Sequence, residues 1–69
     1  MDKEIFEKEW KTIKRFSKTI SIYLKEGGII FANKFKYWNG YDKIIKFYLN
    51  TSIIAYINID KIECIRTIA

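Results

Sequence analysis

The sequence has no histidine and no proline, and only one cysteine among its 69 residues. Without imidazole there is no triad of the Ser–His–Asp kind, and a Cys/His zinc site lacks its ligands. A lone cysteine excludes an intrachain disulfide framework and agrees with a reducing compartment. Valine is also absent, whereas isoleucine occurs fifteen times, and two arginines stand against eleven lysines. Valine and isoleucine are nearly interchangeable in strands, so packing does not choose that ratio. It implies codon bias in a very A+T-rich genome, such as that of a low-GC bacterium, its phages or plasmids, or some archaea. Long apolar runs are missing too. No window approaches the ~18–20 residues of a spanning helix, and the least charged stretch, 47–59, is interrupted by Asn50, Thr51, Ser52 and Asn58. Residues 1–9 are charged throughout and do not resemble a secretory leader, so a cytoplasmic protein with no membrane partner is expected.

Hydrophobic residues make up 49% and charged residues 30%, too apolar for a disordered tail. The length allows one domain, residues 1–69, with a marginal core. Thirteen basic against eight acidic residues give a formal charge of +5.

Residues 2–17 predict an amphipathic helix capped by Asp2. Phe6, Trp10 and Ile13 fall on one stripe, with Ile5 and Phe16 beside it. Acids fill the first half and Lys11, Lys14, Arg15 and Lys18 the second, as the helix dipole favours. From Thr19 the period becomes two. Strands are predicted over 19–25, 29–38, 43–49 and 53–59, separated by turns at Gly27-Gly28, Asn39-Gly40 and Asn50-Thr51-Ser52. The second strand is irregular at Ala32–Asn33, which predicts a bulge or bend there. Segment 62–68 reads equally as a fifth short strand or a helical turn. The predicted fold is α+β: an N-terminal helix packed on a four- to five-stranded antiparallel meander, whose sheet either curls into a partial barrel or leaves one face for a partner. Ile45, Phe47, Leu49, Ile53, Ala55, Ile57 and Ile59 are expected to face the helix. Ile30, Ile44, Ile54 and Ile65 are left on the outward parity, and this surplus predicts self-association through that face or an edge strand.

The chemistry-bearing residues do not make a catalytic kit. The acids are scattered between helix pairs and turns, no phosphate-loop spacing follows a strand, and Cys64 between Ile62 and Ile65 reads as a small core residue. No enzyme, cofactor or metal is expected. A binding role has more support. On the outward parity, Lys34, Lys36 and Trp38 of the second strand would lie beside Lys46 and Tyr48 of the third and Tyr56 of the fourth. Lysines among aromatics can neutralise phosphates and stack bases, or anchor a protein interface. Partners of both kinds follow: a protein or nucleoprotein docking on this face, or RNA or DNA binding to it directly.

The stretch TISIYLKEGGII from Thr19 to Ile30, preceded by a helix, resembles the opening of Sm-like RNA-binding domains of the Hfq type. There too a helix leads into a strand, a glycine turn and a curved second strand. Tyr56 stands where the second signature of that family begins. Ala32–Asn33 replaces its usual glycine in the bent strand, and Ile57 and Asn58 follow where that family has a basic pair. The size, the Lys/Ile bias and the helix-plus-meander layout also resemble small proteins of low-GC bacteria and their phages. Many of those dock on host machinery, as anti-CRISPR inhibitors do. The first resemblance implies RNA or DNA binding as a ring or dimer, and the second an inhibitor that docks on a nucleoprotein.

Overall fold

The computed structural model describes residues 1–68, with Tyr41 described by its backbone alone. The chain begins with α1 (Lys3–Lys14), followed by β1 (Ile20–Leu24), β2 (Ile29–Ala32), β3 (Lys34–Trp38), β4 (Tyr41–Leu49) and β5 (Ser52–Asn58). A single 3-10 turn (Ile59–Lys61) then leads into β6 (Ile62–Thr67). The strands form two three-stranded sheets, ordered β2-β1-β6 and β3-β4-β5, and every pairing is antiparallel. The α+β architecture is therefore as expected, with two refinements. Asn33 divides the predicted second strand between the two sheets. The last segment is a strand, and it returns to pair with β1 instead of extending the meander. Among the described residues β5 and β6 do not pair, so the sheets do not close into a barrel.

Local chemistry explains the elements. Asp2 caps α1, its Oδ1 accepting from the Glu4 and Ile5 amides at 2.9 and 3.4 Å. The helix stops at Lys14, short of the predicted 17, and Phe16 beyond it is 80% exposed. The Lys14 ammonium donates to the carbonyls of Lys18 (2.8 Å) and Asn33 (2.7 Å), fastening the helix exit to the bend between β2 and β3. Asn39 and Gly40 both have positive φ, as a two-residue type I′ hairpin requires. Asn50 is also left-handed, with φ 60°. Its backbone amide donates to Asn33 Oδ1 at 3.0 Å, and Asn33 Nδ2 returns a bond to Asn50 Oδ1 at 3.2 Å. The residue that bends the long strand thus also holds the β4–β5 turn.

Phe6, Trp10, Ile20, Ile22, Ala32, Ile45, Phe47, Ile59, Ile62 and Ile65 form the core. Phe6 and Trp10 reach down from α1 onto Phe35 and Phe47, with ring centroids 4.9–6.1 Å apart. Burying one Ile or Phe is worth about 1.5–3 kcal/mol. A domain of this length has a net stability of roughly 3–10 kcal/mol, so a single truncation in this cluster removes a large share of it.

The expected facing is corrected at three irregularities of the strands. Ile29 and Phe31 share a parity with Phe35 and Tyr37 in the sequence, yet they are 47% and 48% exposed. Ile30, by contrast, packs against the core. The cause is Asn33, which belongs to neither flanking strand and shifts the alternation by one residue. Ile65 is buried rather than outward, because the register shifts where β1 meets β6 at Tyr23–Leu24. The same shift leaves Cys64 opposite Tyr23, half-buried instead of in the core. Ile53 is 46% exposed rather than inward, because the register of β4 on β5 shifts after Phe47 and sets it opposite Tyr48.

Candidate binding face

Alternation along β4 decides what the outer face of the β3-β4-β5 sheet carries. Ile45 and Phe47 point into the core, so Lys46 and Tyr48 point away from α1. The register then sets Lys36, Lys46 and Tyr56 in one row across the three strands, and Lys34 opposite Tyr48 in the next. Trp38 stands at the hairpin end of β3. Its ring centroid is 5.8 Å from that of Tyr56, with the planes at 77°. Because β3 and β5 lie two strand spacings apart, about 9.5 Å, both rings lean across β4 to meet. The six residues singled out in the sequence, Lys34, Lys36, Trp38, Lys46, Tyr48 and Tyr56, are therefore on one face.

The electrostatics of this face are one-sided. Lys36 and Lys46 are directly opposite each other, an arrangement that disfavours the sheet because like charges repel. Among the described residues neither ammonium has an ion pair; the two pairs present are Lys3–Asp42 and Lys43–Asp60, each at 3.7 Å. Asp42 has the sequence parity of Lys46, but the register shift at the β3–β4 hairpin brings it to Lys3 on the helix side. Lys34 lies over the Tyr48 ring at 5.4 Å from its centroid, a cation–π contact. Trp38 and Tyr56 remain 41% and 53% exposed, and Ile54 adds a further 40% exposed apolar side chain on β5. A surface of this kind offers aromatic area together with uncompensated positive charge.

The basic residues at the end of α1 and its C-cap do not join this face. Lys11, Lys14 and Arg15 instead line a groove of about 460 Å³ on the helix side of β3, with Glu7, Trp10 and Phe35 completing it. At its far end the Tyr37 hydroxyl donates to the Glu7 carboxylate. Partial burial, followed by that bond, pushes the Tyr37 phenol far above its usual range. Sequence reasoning identified these basic residues but not the groove, because a groove needs the placement of α1 against β3. It also missed the apolar outer face of the other sheet, where Ile29 and Phe31 are exposed and Arg66 lies over the Tyr23 ring at 5.2 Å. The irregularity at Asn33 was the signal for it.

Among the described residues, no group of three or more His, Cys, Asp or Glu side chains is placed to hold a metal ion. Nor is any helix there long and apolar enough to cross a membrane. Comparisons with protein-family models, curated proteins and solved structures return no match.

Proposed function

We propose that this chain is a non-enzymatic binding protein that docks on a nucleoprotein through the outer face of its β3-β4-β5 sheet and acts by occlusion, as small phage-borne anti-CRISPR inhibitors do. One observation carries the reading: Lys36 and Lys46 oppose each other without a counter-charge, beside the exposed Trp38–Tyr56 pair. Opposed lysines weaken the isolated sheet and are relieved by an anion seated between them. Trp and Tyr beside that charge are the side chains that most often dominate binding energy at an interface.

The test is a photo-crosslinker at position 38, used in an extract of a low-GC bacterium and compared with the same chain carrying Lys36→Glu and Lys46→Glu. Crosslinks to a protein–nucleic acid complex that vanish with the charge reversals support docking by this face. Crosslinks that are indifferent to the reversals end the assignment.

A second reading is direct binding of single-stranded RNA or DNA by an Sm-like domain, as a ring or dimer. It is favoured by the layout that carries the resemblance: a helix, a strand, a glycine turn at Gly27 with φ 101°, and a long strand bent at Asn33. Here affinity for labelled oligonucleotides falls steeply with salt, because each neutralised phosphate releases counterions. Absence of binding at low salt removes this reading and leaves the first standing. Light scattering tests the ring or dimer, which a species near 8 kDa at high concentration would exclude.

A further inference from the structure

We infer that the groove between α1 and β3 is a second binding site, and that its ligand is an acidic peptide segment which adds to the free edge of β3 as an extended strand. β1 begins at Ile20, opposite Ala32. Beyond that point β3 runs from Lys34 to Trp38 with β4 on one side and, among the described residues, no strand on the other. The position that a longer β1 would occupy is spanned by α1 through side chains alone: Trp10 on Phe35, Glu7 on the Tyr37 hydroxyl, and the Lys14 ammonium on the Asn33 carbonyl. The groove left there is about 460 Å³, within the usual range for ligand sites. An unpaired strand edge beside an aromatic floor is the arrangement used in strand addition, where main-chain bonds supply affinity and side-chain pockets supply selectivity.

Charge decides the occupant. A strand laid beside β3 presents alternate side chains to opposite faces. One set meets Lys11 and Arg15 on the groove wall, and the other meets Lys34 and Lys36 across the strand pair. Arg15 is the C-cap of α1, in helical conformation four residues after Lys11, a rise of about 6 Å. That is close to the ~6.8 Å between same-face residues of an extended strand. Glu7 also lines the groove, where its carboxylate accepts from the Tyr37 hydroxyl. Cations thus predominate on both faces of the incoming segment, which calls for Asp and Glu at successive positions. A second copy of β3 is a poor occupant, since it would bring Lys34 and Lys36 against their own kind.

The experiment titrates the full chain with a short fluorescein-labelled peptide of Asp, Glu and Thr, followed by anisotropy and by backbone amide shifts. Three companions are measured: the same peptide with a central proline, its lysine counterpart, and the Lys11→Glu/Arg15→Glu chain, whose exposed positions leave the fold intact. Strand addition predicts amide shifts over Lys34–Trp38. It also predicts at least a tenfold loss with the proline peptide, which keeps the charge but lacks a main-chain donor, and at least a tenfold loss with the double variant. Equal binding of the proline peptide overturns the proposal, because attraction without main-chain pairing would then suffice. Shifts confined to Lys46 and Tyr56 overturn it as well, as does displacement of the peptide from the β3 amides by a single-stranded oligonucleotide. None of these readouts requires the outer face to bind a nucleoprotein, so the two proposals fail separately.

Discussion

The two tryptophans lie on opposite sides of the same three strands. Trp10 is 7% exposed and sits among Phe6, Phe35 and Phe47, whereas Trp38 is 41% exposed and leans on Tyr56 among lysines. Both regions combine aromatic rings with nearby basic residues, so composition does not tell them apart. What separates them is the position of α1. The helix shelters the inner rings from water and keeps Lys11 and Arg15 at the rim, while Trp38 and Tyr56 keep 41% and 53% of their surface exposed. An aromatic–lysine cluster is a core with a charged margin in one place and a contact surface in the other.

Five substitutions probe that contrast. The largest effect is expected from Trp10→Ala, which opens a cavity under α1 and costs about 3–5 kcal/mol. Trp38→Ala is expected to cost less, its edge-to-face contact with Tyr56 contributing about 0.5–1.5 kcal/mol beyond the area it buries. Urea midpoints of the two variants measure the difference, and equal losses would mean that the outer rings are as structural as the inner ones. Next comes Asn33→Ala, which removes the paired bonds to Asn50. A loss of roughly 1–2 kcal/mol follows, together with faster amide exchange in the β4–β5 turn.

Tyr37→Phe is expected to have a smaller effect, and one that depends on pH. The folded protein raises the Tyr37 phenol above its ordinary value of about 10, through burial first and the Glu7 bond second. A raised folded value means that the phenol stabilises fully below pH ~10, and that this contribution is lost as pH rises through the folded value. Wild type should exceed Tyr37→Phe by ~0.5–1.5 kcal/mol near pH 8, and the gap should narrow above pH 10. A gap that is constant to pH 11 would show that the hydroxyl proton is not involved. The smallest stability change is expected from Lys46→Gln, a gain of a few tenths of a kcal/mol as the repulsion from Lys36 is relieved. The same variant should weaken anion binding on the outer face. Stability gained with binding unchanged would separate the lysine row from function.

Several features were legible in the residues because they rest on local rules. The Asp2 cap, the Phe6–Trp10–Ile13 stripe, the Asn39-Gly40 hairpin and the inward Ile45 and Phe47 are each set by neighbours a few positions away. The six outward residues around Lys46 share a face for the same reason. Ile30, Ile53 and Ile65 face the other way from their parity because one inserted residue reverses every side chain beyond it. Where the insertion falls depends on distant partners: Asn33 is held by Asn50 and by the Lys14 ammonium.

Sequence alone determined the helix, the turns, the absence of imidazole and disulfide chemistry, and the alternation that gives β4 a dry and a charged side. These are consequences of dihedral preference and of spacings of two to four residues, which act within a single element. Tertiary structure alone decided that β6 returns to β1, that the strand bent at Asn33 serves both sheets, and that α1 leaves a groove beside an open strand edge. Each of those outcomes joins segments far apart along the chain, and their pairing is selected by the burial of one shared core rather than by any short run of residues.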